Sequence, residues 1–281
     1  MTRRAAARAA VPALMLAALL AVSAAPPATA GQTCAAHATT AAEMASALDV
    51  AGRLRATLDG LGTGHALVAR IGSDISEHGL TYTHMGIAAR DPADGSWRVV
   101  HQLNPCGTGT SVLRVHGLAV FMLDDLYRHD VGVAGLSPAL SAALAAELAG
   151  DRPARLHQPR YSMVAFPGPP GRYQNSNQWV LEVLTDVAAR LDGDPLPADR
   201  DAVQARYRAQ GFRGSTVRIS PLRQLGAGLG AANVHFDDHP AAARQAGRFE
   251  VVSVRSVLDH LARRGLIAAR RTVEGTYQRA P

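Results

Sequence analysis

Apolar residues recur at three-to-four spacing through AAEMASALDVAGRLRATLDGL, residues 41–61. Met44, Leu48, Ala51, Leu54 and Leu58 form one stripe and Gly60 stands near its end, so the segment predicts an amphipathic helix. The period then shortens. HALVARI, LTYTHMGIAAR and WRVVHQL are brief, apolar-rich runs that predict strands, and DPADG at residues 91–95 predicts a hairpin turn between the last two. A helix followed by a meander predicts an α+β fold with an antiparallel sheet and packed helices.

Residues 112–166 carry a weaker pattern. LAVFMLDDLYRH reads as helical, SPALSAALAAELAG as a helix and RYSMVAF as a further strand, before PGPPG at 167–171 enforces a loop. Beyond it Trp179, Val180, Val183, Leu184, Val187 and Leu191 make an apolar helical stripe that ends at Gly193. A helix at 198–209, a strand at VRI, a Gly-containing segment PLRQLGAGLGAAN and a strand-to-helix stretch RFEVVSVRSVLDHLARRG follow. In the Gly-containing segment Leu222, Leu225 and Leu229 suggest helical packing rather than a phosphate loop.

Composition changes this picture at the N-terminus. MTRR, the apolar run AVPALMLAALLAV and the small residues ATA at 28–30 carry the three regions of a secretory signal peptide, so cleavage after Ala30 is expected. The expectation is an exported protein, periplasmic or extracellular, in which residues 31–281 form one domain with a C-terminal extension from about residue 195. No later apolar run is long enough to span a membrane. All 29 basic residues are Arg, and removing Arg3, Arg4 and Arg8 takes the net charge from +6 to +3. With aromatic residues at 5% and Arg scattered, no nucleic-acid surface is visible. Cys34 and Cys106 both survive cleavage; an even count in an exported chain favours a disulfide between them, two separate thiols being the alternative.

Three stretches carry candidate chemistry. In YQNSNQWVLEVL, residues 173–184, any of Asn175, Ser176 and Asn177 has a short acceptor side chain suited to capping the helix, and a helix start also favours an oxyanion or a nucleophile. His84 in THMGIA and His101 in VVHQL come near the same end of the predicted hairpin, a base and its orienting partner if they share a face. NVHFDDHP at 233–240 gathers His235, Asp237, Asp238 and His239, but its spacing fits a turn better than a zinc or calcium site. No metal or cofactor is expected.

THMGIAARDPADGSWRVVHQLNPC, RYSMVAFPGPPGRYQNSNQWVLEVL and NVHFDDHP, in that order, resemble the bacterial family catalogued as domain of unknown function 2145 over most of the mature chain. A strand reading HMGIA, a following strand with a polar residue and a later helix opened by a small residue are similar to the permuted NlpC-like branch of papain-like hydrolases. That resemblance implies a permuted papain-like core in which His84 matches the base, His101 the orienting residue and Ser176 the position of the nucleophilic Cys, with Asn175, Asn177 and Gln178 beside it as binding residues. The implied activity is hydrolysis or transfer of an amide or ester acyl group of a cell-envelope peptide or lipid-like ligand. The competing expectation is an inactive module of the same fold that binds such a ligand. The sequence sets no oligomeric state.

Overall fold

The computed structural model describes residues 38–279. The expected leader at 1–30 and Cys34 lie outside them, so the expected pairing of Cys34 with Cys106 does too. Cys106, in the loop before the fourth strand, is not free.

The chain forms an α+β fold. Helix α1 (Ala41–Asp59) begins at Thr40, whose side chain accepts from Glu43 N while the Glu43 carboxylate accepts from Thr40 N, a reciprocal capping box. Then come β1 (His65–Ile71), β2 (His84–Arg90), β3 (Trp97–Leu103), β4 (Val112–Gly117), the short α2 (Leu118–Met122) and β5 (Arg128–Leu136). Helices α3 (Pro138–Leu148), α4 (Arg152–Arg155), α5 (Ser176–Leu191) and α6 (Arg200–Ala209) precede β6 (Ser215–Arg218), α7 (Pro221–Gly230), α8 (Ala241–Ala246), β7 (Arg248–Val251), α9 (Val254–Arg263) and β8 (Ile267–Val273). Six strands pair antiparallel in the order β4-β3-β2-β1-β5-β8, and β6 and β7 form a separate ribbon. Among the described residues no helix is long and apolar enough to cross a membrane.

Side chains alternate across a sheet, so each strand feeds two layers. Leu67, Ala69, Met85 and Ile87 face a core built with α3, α5 and α9, through Leu140, Trp179, Val183 and Val257. Ala66, Val68, Ala88 and Val99 face the other core, built with α1 and α2 through Leu54, Leu58 and Phe121. The region after residue 195 returns to the main sheet, since β8 runs beside β5 as its sixth strand.

Several sequence expectations are corrected. RYSMVAF is not a strand: it makes only isolated bridges, Thr110 with Arg160 and Tyr161 with Gln174, because its N–H groups go to carbonyls of separate loops, Tyr161 N to Gly109 O and Met163 N to Asn233 O. LAVFMLDDLYRH is helical only at 118–122, after which the chain enters β5. In α1 Met44 and Leu48 are exposed, and the buried face is instead Ala47, Val50, Ala51, Leu54 and Leu58. In α7 Leu222 and Leu225 point to solvent rather than into packing, although the segment is helical. Helix α5 is more than a stripe: every residue from Ser176 to Ala189 is buried, because α4, α6 and the chain before α5 cover its polar side.

Candidate functional site

The hairpin brings His84 and His101 together as expected. His84 Nε2 lies 2.8 Å from His101 Nδ1, and the chain of imidazoles continues, His101 Nε2 lying 3.1 Å from His116 Nδ1. Consecutive rings are edge-on, with centroids 5.1 and 5.0 Å apart. Glycine at position 86 makes the room: a Cβ there would stand 2.5 Å from Val99 Cγ1 and 3.0 Å from His101 Cβ. Sequence reasoning misses His116. VLRVHG is legible as a short alternating strand, and once β4 is laid antiparallel beside β3, Val99 faces His116 and brings its ring next to His101.

The three rings lie in the α1/α2 layer. Phe121 packs on His84 and His101 with ring centroids 6.2 and 5.4 Å away, and the Arg70 guanidinium sits 4.7 Å above the same phenyl ring. Arg70 is paired with Asp124 and donates to the Phe121 carbonyl. His101 is fully buried. Burial, then the positive charge of Arg70 and then His116 hold its pKa down to about 3, with Asp124 opposing. Burial, followed by Arg70 and His101, also lowers His84 well below its ordinary value. These two rings are therefore neutral at neutral pH. A neutral imidazole carries one N–H, so His101 donates to one neighbour and accepts from the other, and the direction of one link sets the other. A base whose conjugate acid is this acidic removes a proton weakly.

Ser176 occupies the other layer. It is the first residue of α5, the helix that packs on Met85 and Ile87, while the side chains that alternate with these, His84 among them, point to the opposite face of the sheet. No hydrogen bond joins Ser176 to either histidine among the described residues. Its neighbour is Tyr161, whose phenol is pushed up to about 12 by burial and partly drawn back by hydrogen bonding to Ser176. The cap of α5 is Asn175, whose Oδ1 accepts from Gln178 N at 2.8 Å and whose Nδ2 donates to Val252 O at 3.2 Å. Asn177 Nδ2 donates to Thr83 O at 3.3 Å, tying the helix start to the entry of β2. Asn175, Asn177 and Gln178 are buried and offer no open surface; the Asn175 and Asn177 side chains anchor the helix start, whereas among the described residues neither side-chain polar atom of Gln178 has a hydrogen-bond partner.

The remaining candidate stretch is a turn that ties loops together. His235 stacks on Tyr173 with centroids 4.5 Å apart, Asp237 pairs with Arg172 at 3.2 Å, Asp238 accepts from Phe166 N at 2.8 Å and His239 Nε2 meets Val164 O at 2.6 Å. Among the described residues no group of His, Cys, Asp and Glu is arranged to hold a metal ion.

Comparison with known proteins gives one match. A family model described as an uncharacterized protein conserved in bacteria (DUF2145) covers residues 57–261, well over half of the chain, from the end of α1 through most of α9. No curated protein and no solved structure matches.

Proposed function

The chain belongs to the bacterial DUF2145 family, and for this member we propose a non-catalytic role: an exported cell-envelope module on a papain-like scaffold that binds a peptide or acyl ligand. The observation that carries this reading is the separation of Ser176 from His84 by the sheet. A serine hydroxyl needs a base within hydrogen-bond reach to become a nucleophile, and a helix N-terminus alone does not supply one. On the histidine side the facing groups are Phe121, Arg70 and Asp124, none of them a nucleophile. In this reading the histidine chain and the Asn175 cap hold the sheet and α5 in shape, and export with a Cys34–Cys106 disulfide would tie the N-terminal segment to the loop before β4.

Intact mass after exposure to a serine-directed acyl-phosphonate probe tests the reading against amide or ester hydrolysis. Wild type and Ser176→Ala are both expected to stay unmodified while remaining folded. An adduct on the wild type that disappears in Ser176→Ala would end the non-catalytic reading.

A further inference from the structure

Away from the histidines and Ser176, an open cleft of about 430 Å³ lies between α4, the loop that follows it and the start of α6. Its volume falls within the range of small-molecule sites, roughly 300–1,000 Å³. Its lining carries charges of both signs: Arg152 and Arg155 lie one turn apart on α4, Asp199 and Asp201 stand at the entry of α6, and Gln158, Gly171 and Arg200 complete the charged and polar lining.

These charges differ in how far they are already engaged. Arg200 is committed: Nε and Nη2 pair with Glu182, and Nη1 donates to Gly171 O at 2.8 Å. Arg152 places Nε and Nη2 on Asp186 and donates from Nη2 to the Pro197 carbonyl as well, which leaves Nη1 outside these bonds. The exposed Arg155 makes a solvent-side contact with Asp151 at 3.1 Å and no other ion pair among the described residues. Such exposed pairs contribute little and exchange readily for a better partner. On the acidic side Asp199 Oδ1 accepts from Ala202 N and Asp201 Oδ1 from Gly171 N, each at 2.9 Å. Each carboxylate has a second oxygen that neither of these bonds uses, and among the described residues neither forms a salt bridge.

We propose that this cleft binds a small zwitterion of about di- or tripeptide size, its carboxylate held by Arg155 and Arg152 Nη1 and its ammonium by Asp199 and Asp201. The proposal rests on the binding reading above and names the site and ligand chemistry for it. A ligand with one charge satisfies one of these pairs and leaves the other to water, so both ends are needed for full affinity.

Backbone NMR of the folded mature protein, titrated with L-Ala-L-Ala and with its N-acetylated and C-amidated forms, tests this directly. Saturable shifts are expected at Arg155, Gln158, Gly171, Asp199 and Asp201 with the free dipeptide. Capping either end is expected to weaken binding roughly tenfold, as are Arg155→Gln and Asp199→Asn, the latter keeping the acceptor that caps α6. Absence of saturable shifts, or equal binding by the capped peptides, would overturn the proposal. Saturable shifts confined to another region would overturn the cleft while leaving a binding module intact. A phosphonate adduct at Ser176 removes the non-catalytic reading whatever the cleft does.

Discussion

Replacing Glu182 by Ala is expected to destabilise the protein by about 3–5 kcal/mol, since this removes one partner of a buried ion pair and leaves the other charge uncompensated. Glu182 is completely buried in the middle of α5 and accepts from Arg200 Nε at 2.8 Å and Nη2 at 3.0 Å, from Gln204 Nε2 at 2.8 Å and from Gln174 Nε2 at 2.5 Å. With the carboxylate gone, a guanidinium and two amides lose their acceptor together, in a space a methyl group does not fill. The urea midpoint should fall with little change in slope, as befits a change in stability rather than in surface exposed. The double variant Glu182→Met with Arg200→Met should recover part of the loss, because an apolar pair of similar volume avoids the desolvation of both ions while the Gln174 and Gln204 amides still lack that acceptor. A loss below about 1 kcal/mol for Glu182→Ala would show the network to be dispensable. Arg200 also donates to Gly171 O, so this core network supports one wall of the proposed cleft.

Acid should weaken the fold as the pH falls from 7 to 5. Burial lowers His101 to about 3 and His260 to about 4, with Arg264 and Arg263 adding to the effect on His260. His84, His65, His129 and His157 are lowered as well, in each case first by burial. Between an unfolded-state value near 6.5 and these depressed native values, the unfolded chain binds more protons than the folded one, so stability rises with pH and is lost as pH falls through this window. Each of the two most buried groups, His101 and His260, then removes up to about 2 kcal/mol at pH 5. His260 is 1% exposed, sits 5.5 Å from the Phe212 ring, and among the described residues neither of its nitrogens has a hydrogen-bond partner. His260→Leu should therefore flatten the decline measured by denaturant unfolding at pH 7, 6 and 5. Stability independent of pH over that range would contradict the neutral, buried state assigned to these rings.

The hairpin is legible in the sequence because its turn and its period-two strands are local features. Asp91 O accepts from Gly95 N and Ser96 O accepts from Asp91 N, and once the turn is set, His84 and His101 meet without further information. The face they occupy is also written in THMGIA, where Met85 and Ile87 alternate with His84, Gly86 and Ala88. Which of the two faces α5 covers is not, because that choice depends on contacts between segments some ninety residues apart, such as Asn177 with Thr83. Strand β8 escapes for a related reason. Its sequence IAARRTV lacks an apolar run, and it becomes a strand by pairing with the buried β5. The polar side of α5 reads as a solvated face, and only the later arrival of Arg200, with Arg152 from α4, turns Glu182 and Asp186 into buried partners.

The assignment of Ser176 and His84 to different layers is tested most directly by the thiol pKa of Ser176→Cys, measured by the pH dependence of alkylation with and without His84→Ala. A thiol beside an imidazole forms an ion pair that lowers its pKa far below the ordinary value of about 8.5, and the lowering vanishes when the imidazole is removed. With the sheet between them, the pKa of the introduced thiol is expected to be the same in both backgrounds, set by burial, Tyr161 and the helix start alone. A strongly depressed value that rises on removing His84 would put the two side chains in one site and restore the hydrolase.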